Sequence, residues 1–158
     1  MNAYDDAMKV LRDLFGRDCL FALATSASDS VSVRFIDTCF DGDGFYVVTY
    51  RCSQKMVQIA SNPNVALASL NMHRFDGTAV DLGHPLSPEN SAIREKLIRV
   101  FEPWYFKHND ENDKNMAYMK IVPSNGFFHK DGTGYKVDFS NKTAEAFPFV
   151  SDISVSEE

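Results

Sequence analysis

Four turn signals divide this chain into short β-type runs, and they restrict the fold more than any other feature. They are SASDS (26–30), DGDG (41–44), NPN (62–64) and DGTG (131–134). Gly, Asn and Asp cluster in such segments because they tolerate the left-handed backbone that tight turns require. Between them lie CLFALAT (19–25), VSVRFIDTCF (31–40), FYVVTY (45–50) and VALASLN (65–71). TAVDLGHPL (78–86), MAYMKIVP (116–123), NGFFHK (125–130) and YKVDF (135–139) follow. These runs are rich in β-branched and aromatic residues, and each reads as a strand. Helical spacing predicts a helix over residues 5–15 that stops at Gly16, and a short one over 53–61. A third opens at Ser87 and Pro88 and ends or kinks at Pro103. The expectation is a mainly β (α+β) domain over residues 1–145, with an acidic tail over 146–158. So many short antiparallel strands manage their edges most simply by closing into a small or split barrel.

A chain of 158 residues suits one domain with a real core. The net charge of −6, from 16 basic and 22 acidic residues, argues against non-specific binding of nucleic acid or a membrane surface. No apolar run approaches the roughly 18 residues of a membrane span. The start, MNAYDDAMKV, has neither the basic nor the apolar region of an export signal. Three cysteines, Cys19, Cys39 and Cys52, are odd in number and lack CxxC spacing. Reduced thiols in a cytoplasmic protein are the simplest expectation.

Against this acidic background one segment is basic. No Asp or Glu occurs from Phe45 to Phe75, yet Arg51 and Lys55 flank the expected start of the second helix. That end of a helix carries about half a positive charge, so cations there are unfavourable. If DGDG forms a tight hairpin, Phe40 pairs with Phe45, and a continuing register sets Thr38 against Val47, Ile36 against Thr49 and Arg34 against Arg51. Like charges directly opposite are destabilising. Two readings are open. The cations splay into solvent, with Arg34 paired to a distant acid; or they hold a phosphate, together with the free N–H groups of the helix start and the Ser53 hydroxyl. An anion would offset each of these oddities.

The segment VRFI, a hairpin, then GFYVVT…SQKMVQIASNPNVAL resembles the FMN-binding split barrel of the pyridoxamine 5′-phosphate oxidase-like superfamily. The likeness is carried by residues 31–70 and extends loosely to about Phe139. It implies a Greek-key split barrel with flanking helices and FMN held at the interface of a homodimer. By resemblance the phosphate and ribityl chain are held by Arg34 on a strand, Thr49 ending the next, and Ser53 and Lys55 opening the short helix. Val48, Tyr50, Gln54 and Thr78 complete the cofactor-binding set. There are departures. A second basic residue of the family's oxidases is Cys39 here, a basic residue before the helix lysine is Gln54, and a ring-contacting glutamine corresponds to Thr78. The C-terminal Trp- and Arg-rich stretch of true pyridoxamine phosphate oxidases is missing, since no Trp or Arg follows Trp104. Turnover of pyridoxamine phosphate is therefore expected to be negligible, and the likeness is closer to the small relatives: flavin reductases, stress proteins, and deazaflavin or haem binders.

His73, His84, His108 and His129 show no metal-ligand spacing, and no metal is expected. Cys52 beside cations has a setting that lowers a thiol pKa, but no His or Asp lies near it in sequence. The cluster PWYF (103–106) reads as core or subunit contact, with Trp104 an alternative stacking partner for a flavin. No residue is singled out as catalytic. The reading is an FMN-dependent oxidoreductase passing electrons from NAD(P)H to a small acceptor. The alternative is a protein that binds or senses a flavin or phosphorylated ligand without turnover.

Overall fold

A computed structural model describes residues 2–152. The elements run α1 (Ala3–Phe15), β1 (Cys19–Ala27), β2 (Ser30–Asp41), β3 (Gly44–Tyr50), α2 (Gln54–Ser61), β4 (Asn64–Ala68) and β5 (Arg74–Gly83). A 3₁₀ turn (Pro88–Asn90) leads into α3 (Ser91–Val100). Then come α4 (Tyr105–His108), β6 (Met116–Lys130), β7 (Thr133–Asp138) and β8 (Thr143–Pro148). All strands are antiparallel, in the order β3-β2-β1-β4-β5-β6-β7-β8, and a β3–β6 pairing closes the first six into a barrel. The run β4-β1-β2-β3 is a Greek key, with α2 carrying the long connection back to β1.

Turn chemistry sets the hairpins. Ser28 and Asp29 (φ 48° and 65°) join β1 to β2, and Asp131 and Gly132 (φ 51° and 83°) join β6 to β7. Both pairs have the double positive φ that matches strand twist in two-residue loops. In DGDG, Asp41 pairs with Gly44 and Phe40 with Phe45, as the sequence predicts.

The register does not continue as expected. β2 and β3 pair only from Asp41/Gly44 to Cys39/Tyr46; beyond that β2 stays with β1 and β3 pairs with β6 as far as Tyr50/Met116. Arg34 consequently faces Leu23, not Arg51. Barrel closure overrides the simple hairpin, because it satisfies β3's second edge while letting its inner face join the core.

The expected strands 116–123 and 125–130 are one strand, β6. Its proline is accommodated at a register shift between Asp76 and Gly77, where Gly77 opposes Pro123. A Cβ on Gly77 would lie 2.4 Å from the Val122 carbonyl oxygen, so only glycine fits there. β8 crosses the expected 145/146 boundary, and residues 153–158 of the acidic tail lie outside the described residues.

α1 presents Ala7, Leu11 and Phe15 to one end of the barrel, a stripe at four-residue spacing. The Phe15 ring lies 5.3–6.3 Å from those of Phe21, Phe45, Phe75 and Phe128. α2 closes another part of the barrel with Met56 and Ile59. Outside the barrel, α3 and α4 cover β3 and β6 through a second cluster of Cys39, Leu97, Phe101, Tyr105, Met116 and Tyr118.

That outer layer is locked by a polar network. The Arg94 guanidinium donates to both Glu111 oxygens (2.8 and 2.7 Å), the Tyr105 hydroxyl donates to the same carboxylate (3.0 Å), and the Tyr105 and Tyr118 hydroxyls share a short bond. The Arg94 bond, ahead of the Tyr105 bond, holds the Glu111 pKa below its ordinary 4.5. A depressed carboxylate pKa contributes stability above about pH 4.5, which is lost as pH falls through the folded value. We expect Glu111→Gln to cost about 1–3 kcal/mol at pH 7. Urea midpoints of variant and wild type should converge as the pH drops below 4; an equal gap at pH 7 and pH 3 would show that the carboxylate charge is irrelevant.

Candidate anion and cofactor site

The parting of β2 and β3 leaves a split, and the first turn of α2 stands in it. Ser53 is the N-cap residue, but its side chain does not cap the helix. Its Oγ donates back to the Tyr50 carbonyl (2.7 Å) and lies 3.3 Å from Thr49 Oγ1. The first helical bond is Val57 N–H to Ser53 O, so the N–H groups of Gln54, Lys55 and Met56 have no helical acceptor.

Arg34 reaches this turn from β2. Its Nη1 donates to Thr25 Oγ1 (2.7 Å) and the Leu23 carbonyl (3.2 Å), and its Nη2 to the side-chain oxygens of Gln54 and Gln58 (3.4 Å each). Every one of these acceptors is uncharged. Among the described residues no Asp or Glu forms an ion pair with Arg34 or Lys55. The distant acid allowed for Arg34 in the bland reading is thus not found there.

The electrostatics follow. Burial lowers the Lys55 pKa and the neighbouring Arg34 charge lowers it further; burial alone lowers that of Arg34. Two partly buried cations thus stand together at the positive end of a helix dipole, with no carboxylate to neutralise them. A dianion seated there would gain charge-assisted bonds from both, plus unpaired backbone N–H groups. The donor set is chemically suited to a phosphate monoester.

The expected site residues divide into groups. Arg34, Thr49, Ser53, Gln54 and Lys55 gather around the start of α2. Val48 and Tyr50 alternate with the buried Thr49 and turn their side chains to the outer cluster; the Tyr50 hydroxyl accepts from the Asp110 N–H (3.2 Å). What they can offer a ligand is backbone. Thr78 is exposed on β5, opposite Asn64 and Val122, near the far end of α2. A groove of about 420 Å³ runs from Thr25 past Asn64 to Gly77, but neither Thr78 nor the residues at the start of α2 line it. Arg51 stands apart: its guanidinium lies 3.6 Å from Asp81, with both side chains largely exposed.

Two residues that the sequence reading passed over organise the cluster. Thr25 is buried on β1; it accepts from Arg34 and donates to Gln58. Gln58 is buried on α2 and donates to Ser32 Oγ (3.2 Å). A signal for Gln58 existed, since it follows Gln54 by four residues and shares its helix face.

No family model matches the chain, and neither does any curated protein. Solved structures do, and what they show is the fold, a split β-barrel, as the sequence resemblance implied. One is a candidate pyridoxamine 5′-phosphate oxidase from Listeria innocua, with TM-score 0.57 and 17% identity over 78% of this chain and 94% of that one. A second is an FAD-binding protein from Mesorhizobium loti, with TM-score 0.58 and 12% identity over 76% and 91%. A third is the haem storage protein HutZ from Vibrio cholerae, with TM-score 0.57 and 15% identity over 78% and 91%. At these identities the likeness is one of fold.

The charge arrangement makes its own prediction. Inorganic phosphate should raise the melting temperature of the wild type, and Lys55→Ala or Arg34→Ala should remove most of that rise. Because the Lys55 pKa is lowered, its ammonium discharges below pH 10.5, so phosphate affinity should decline with rising pH earlier than for an ordinary lysine. Equal phosphate responses in all three proteins, followed by calorimetric melting, would contradict the site.

Proposed function

We propose that this protein binds FMN, with the phosphate held by Arg34, Ser53, Lys55 and the first-turn N–H groups of α2. The observation that carries this reading is the pair of cations without a carboxylate partner at a helix start whose cap side chain is turned away. Bound FMN would supply hydride and single-electron chemistry. The chain's own residues bind and orient: Arg34 is held in place by Thr25 and Gln58, and Thr49 positions the Ser53 hydroxyl. No carboxylate or imidazole belongs to this cluster, and the Lys55 amine, its pKa lowered by burial, is the one titrating group among the proposed phosphate ligands. That suits an oxidoreductase moving electrons from NAD(P)H to a small acceptor. It equally suits the second reading, a protein that binds flavin without turnover. NAD(P)H-driven bleaching of the bound flavin separates the two.

The outer face of β1 and β2 supports a homodimer. Val31, Val33, Phe35 and Leu20 are 75, 69, 63 and 55% exposed. The cross-strand pairs Ala22/Phe35 and Ala24/Val33 put small residues between them, continued by Ala66 and Ala68 on β4. A sheet face this apolar is covered in most proteins of this size. In the proposed dimer it meets its copy, with the flavin ring at the junction as in the family resemblance.

Lys55→Ala and Arg34→Ala should weaken FMN by roughly tenfold or more each while leaving riboflavin, which lacks the phosphate, nearly unchanged. Equal losses for both ligands, read by fluorescence titration, would remove the phosphate role. Phe35→Lys should sediment as a monomer and bind FMN less tightly, because a ligand held by the assembled state stabilises it by mass action. A wild type that sediments as a monomer with and without FMN would overturn the interface.

A further inference from the structure

A separate cavity of about 330 Å³ opens where the end of α1 meets β1 and the turn between β4 and β5. Its walls include Phe15, Leu20, Phe35, Leu70, Cys19 and His73, and none of the residues proposed to hold the phosphate. It is mostly apolar, and its polar groups are few.

His73 gives it direction. The residue is 93% buried, fixed by its backbone N–H donating to Ser69 Oγ (3.2 Å) and by a 4.6 Å ring stack on His129. Its Nδ1 accepts from the His129 backbone N–H (3.4 Å), which puts the ring proton on Nε2. Nε2 makes no hydrogen bond to the described residues. Among those residues no sealed polar side-chain atom lacks a partner, so Nε2 keeps some exposure, and His73 is part of the cavity wall. Burial, and then the charge of His129, depress the His73 pKa to about 4, so the ring is neutral at pH 7. Cys19 offers no competing polarity, since its thiol donates to the Leu14 carbonyl (3.4 Å) and burial raises its pKa to about 11.

We propose that this cavity is a binding site for an uncharged bicyclic aromatic ketone, whose carbonyl accepts from His73 Nε2. Size sets the class: a 150 Å³ apolar cavity takes benzene, so this one suits about a dozen heavy atoms. Polarity sets the rest. A charged ligand would leave water for aromatic walls with no counter-ion, whereas a carbonyl satisfies the His73 donor beside the Ser69 and Asn71 side chains that also line the cavity. Leu20 and Phe35 on the rim belong to the outer apolar face, so a partner subunit would roof the cavity.

The test uses the full chain, loaded with FMN if it binds, and a matched pair of probes: 1-tetralone, and tetralin, which lacks the carbonyl. Calorimetric titration should show tetralone binding about three- to tenfold more tightly, the worth of one hydrogen bond. Leu70→Arg, at a position 62% exposed, should abolish both. His73→Leu should keep tetralin and erase the difference. Should that variant fail to fold, the His73 Nε2–H resonance of the wild type decides, since tetralone must shift it and tetralin must not. Equal affinities, no binding of either probe (as when a partner side chain fills the space), or an unaffected Leu70→Arg would overturn the proposal.

Discussion

The pairing of β3 with β6 is the constraint on which the rest of the molecule depends. It closes six strands into a barrel, within which β3 parts from β2 after only three residue pairs. The two strands leave the same hairpin and part. Arg34 stands on one lip of the split and Thr49 on the other, with the first turn of α2 between them. Had the hairpin continued, Arg34 would have been trapped beside Arg51 with no room for a helix start.

Position alone does not make that split a site; the imbalance of charge does. Partly buried cations normally find an acid, because desolvating a charge without a partner is expensive. Arg34 is instead satisfied by neutral oxygens of Thr25, Leu23, Gln54 and Gln58, which fix its direction while leaving its charge uncompensated. The contrast within the same protein is instructive. Arg94 meets Glu111, Lys96 meets Asp41 and Lys120 meets Asp43. These pairs lie on the outer layer, where they fasten helix or loop to barrel. Among the described residues the partly buried cations without an acidic partner are Arg34 and Lys55, both at the split, consistent with a ligand that brings its own negative charge.

How much of this was legible in the sequence depended on how local each feature is. The DGDG turn fixed Phe40 opposite Phe45, and the spacing of Ala7, Leu11 and Phe15 gave α1, because both are decided within a few residues. The Arg34–Arg51 opposition was wrong because closure is a long-range event: nothing within the hairpin says that β3 will prefer Met116–Ile121. β6 was cut in two at Pro123, since a proline inside a strand is tolerated only where a bulge and a glycine on the partner make room, and Gly77 lies 46 residues away. β8 went unread because TAEAFP is largely exposed and has little of the alternation that marks a half-buried strand. The gathering of Arg34, Ser53 and Lys55 was legible through resemblance. The roles of Thr25 and Gln58 were not, because their importance lies in a hydrogen-bond chain between elements.

The central claim is that a phosphate sits in the split between two cations and a helix start. Phosphorus NMR of FMN bound to the protein tests this most directly, because the second ionisation of a free phosphate monoester, near pH 6, reports its surroundings. Arg34, Lys55 and the N–H groups of α2 all favour the dianion, so the bound resonance should stay dianionic to well below pH 6, and Lys55→Ala should move its midpoint back toward the free value. A bound FMN whose phosphate titrates like that of free FMN would place the phosphate in solvent and contradict the account.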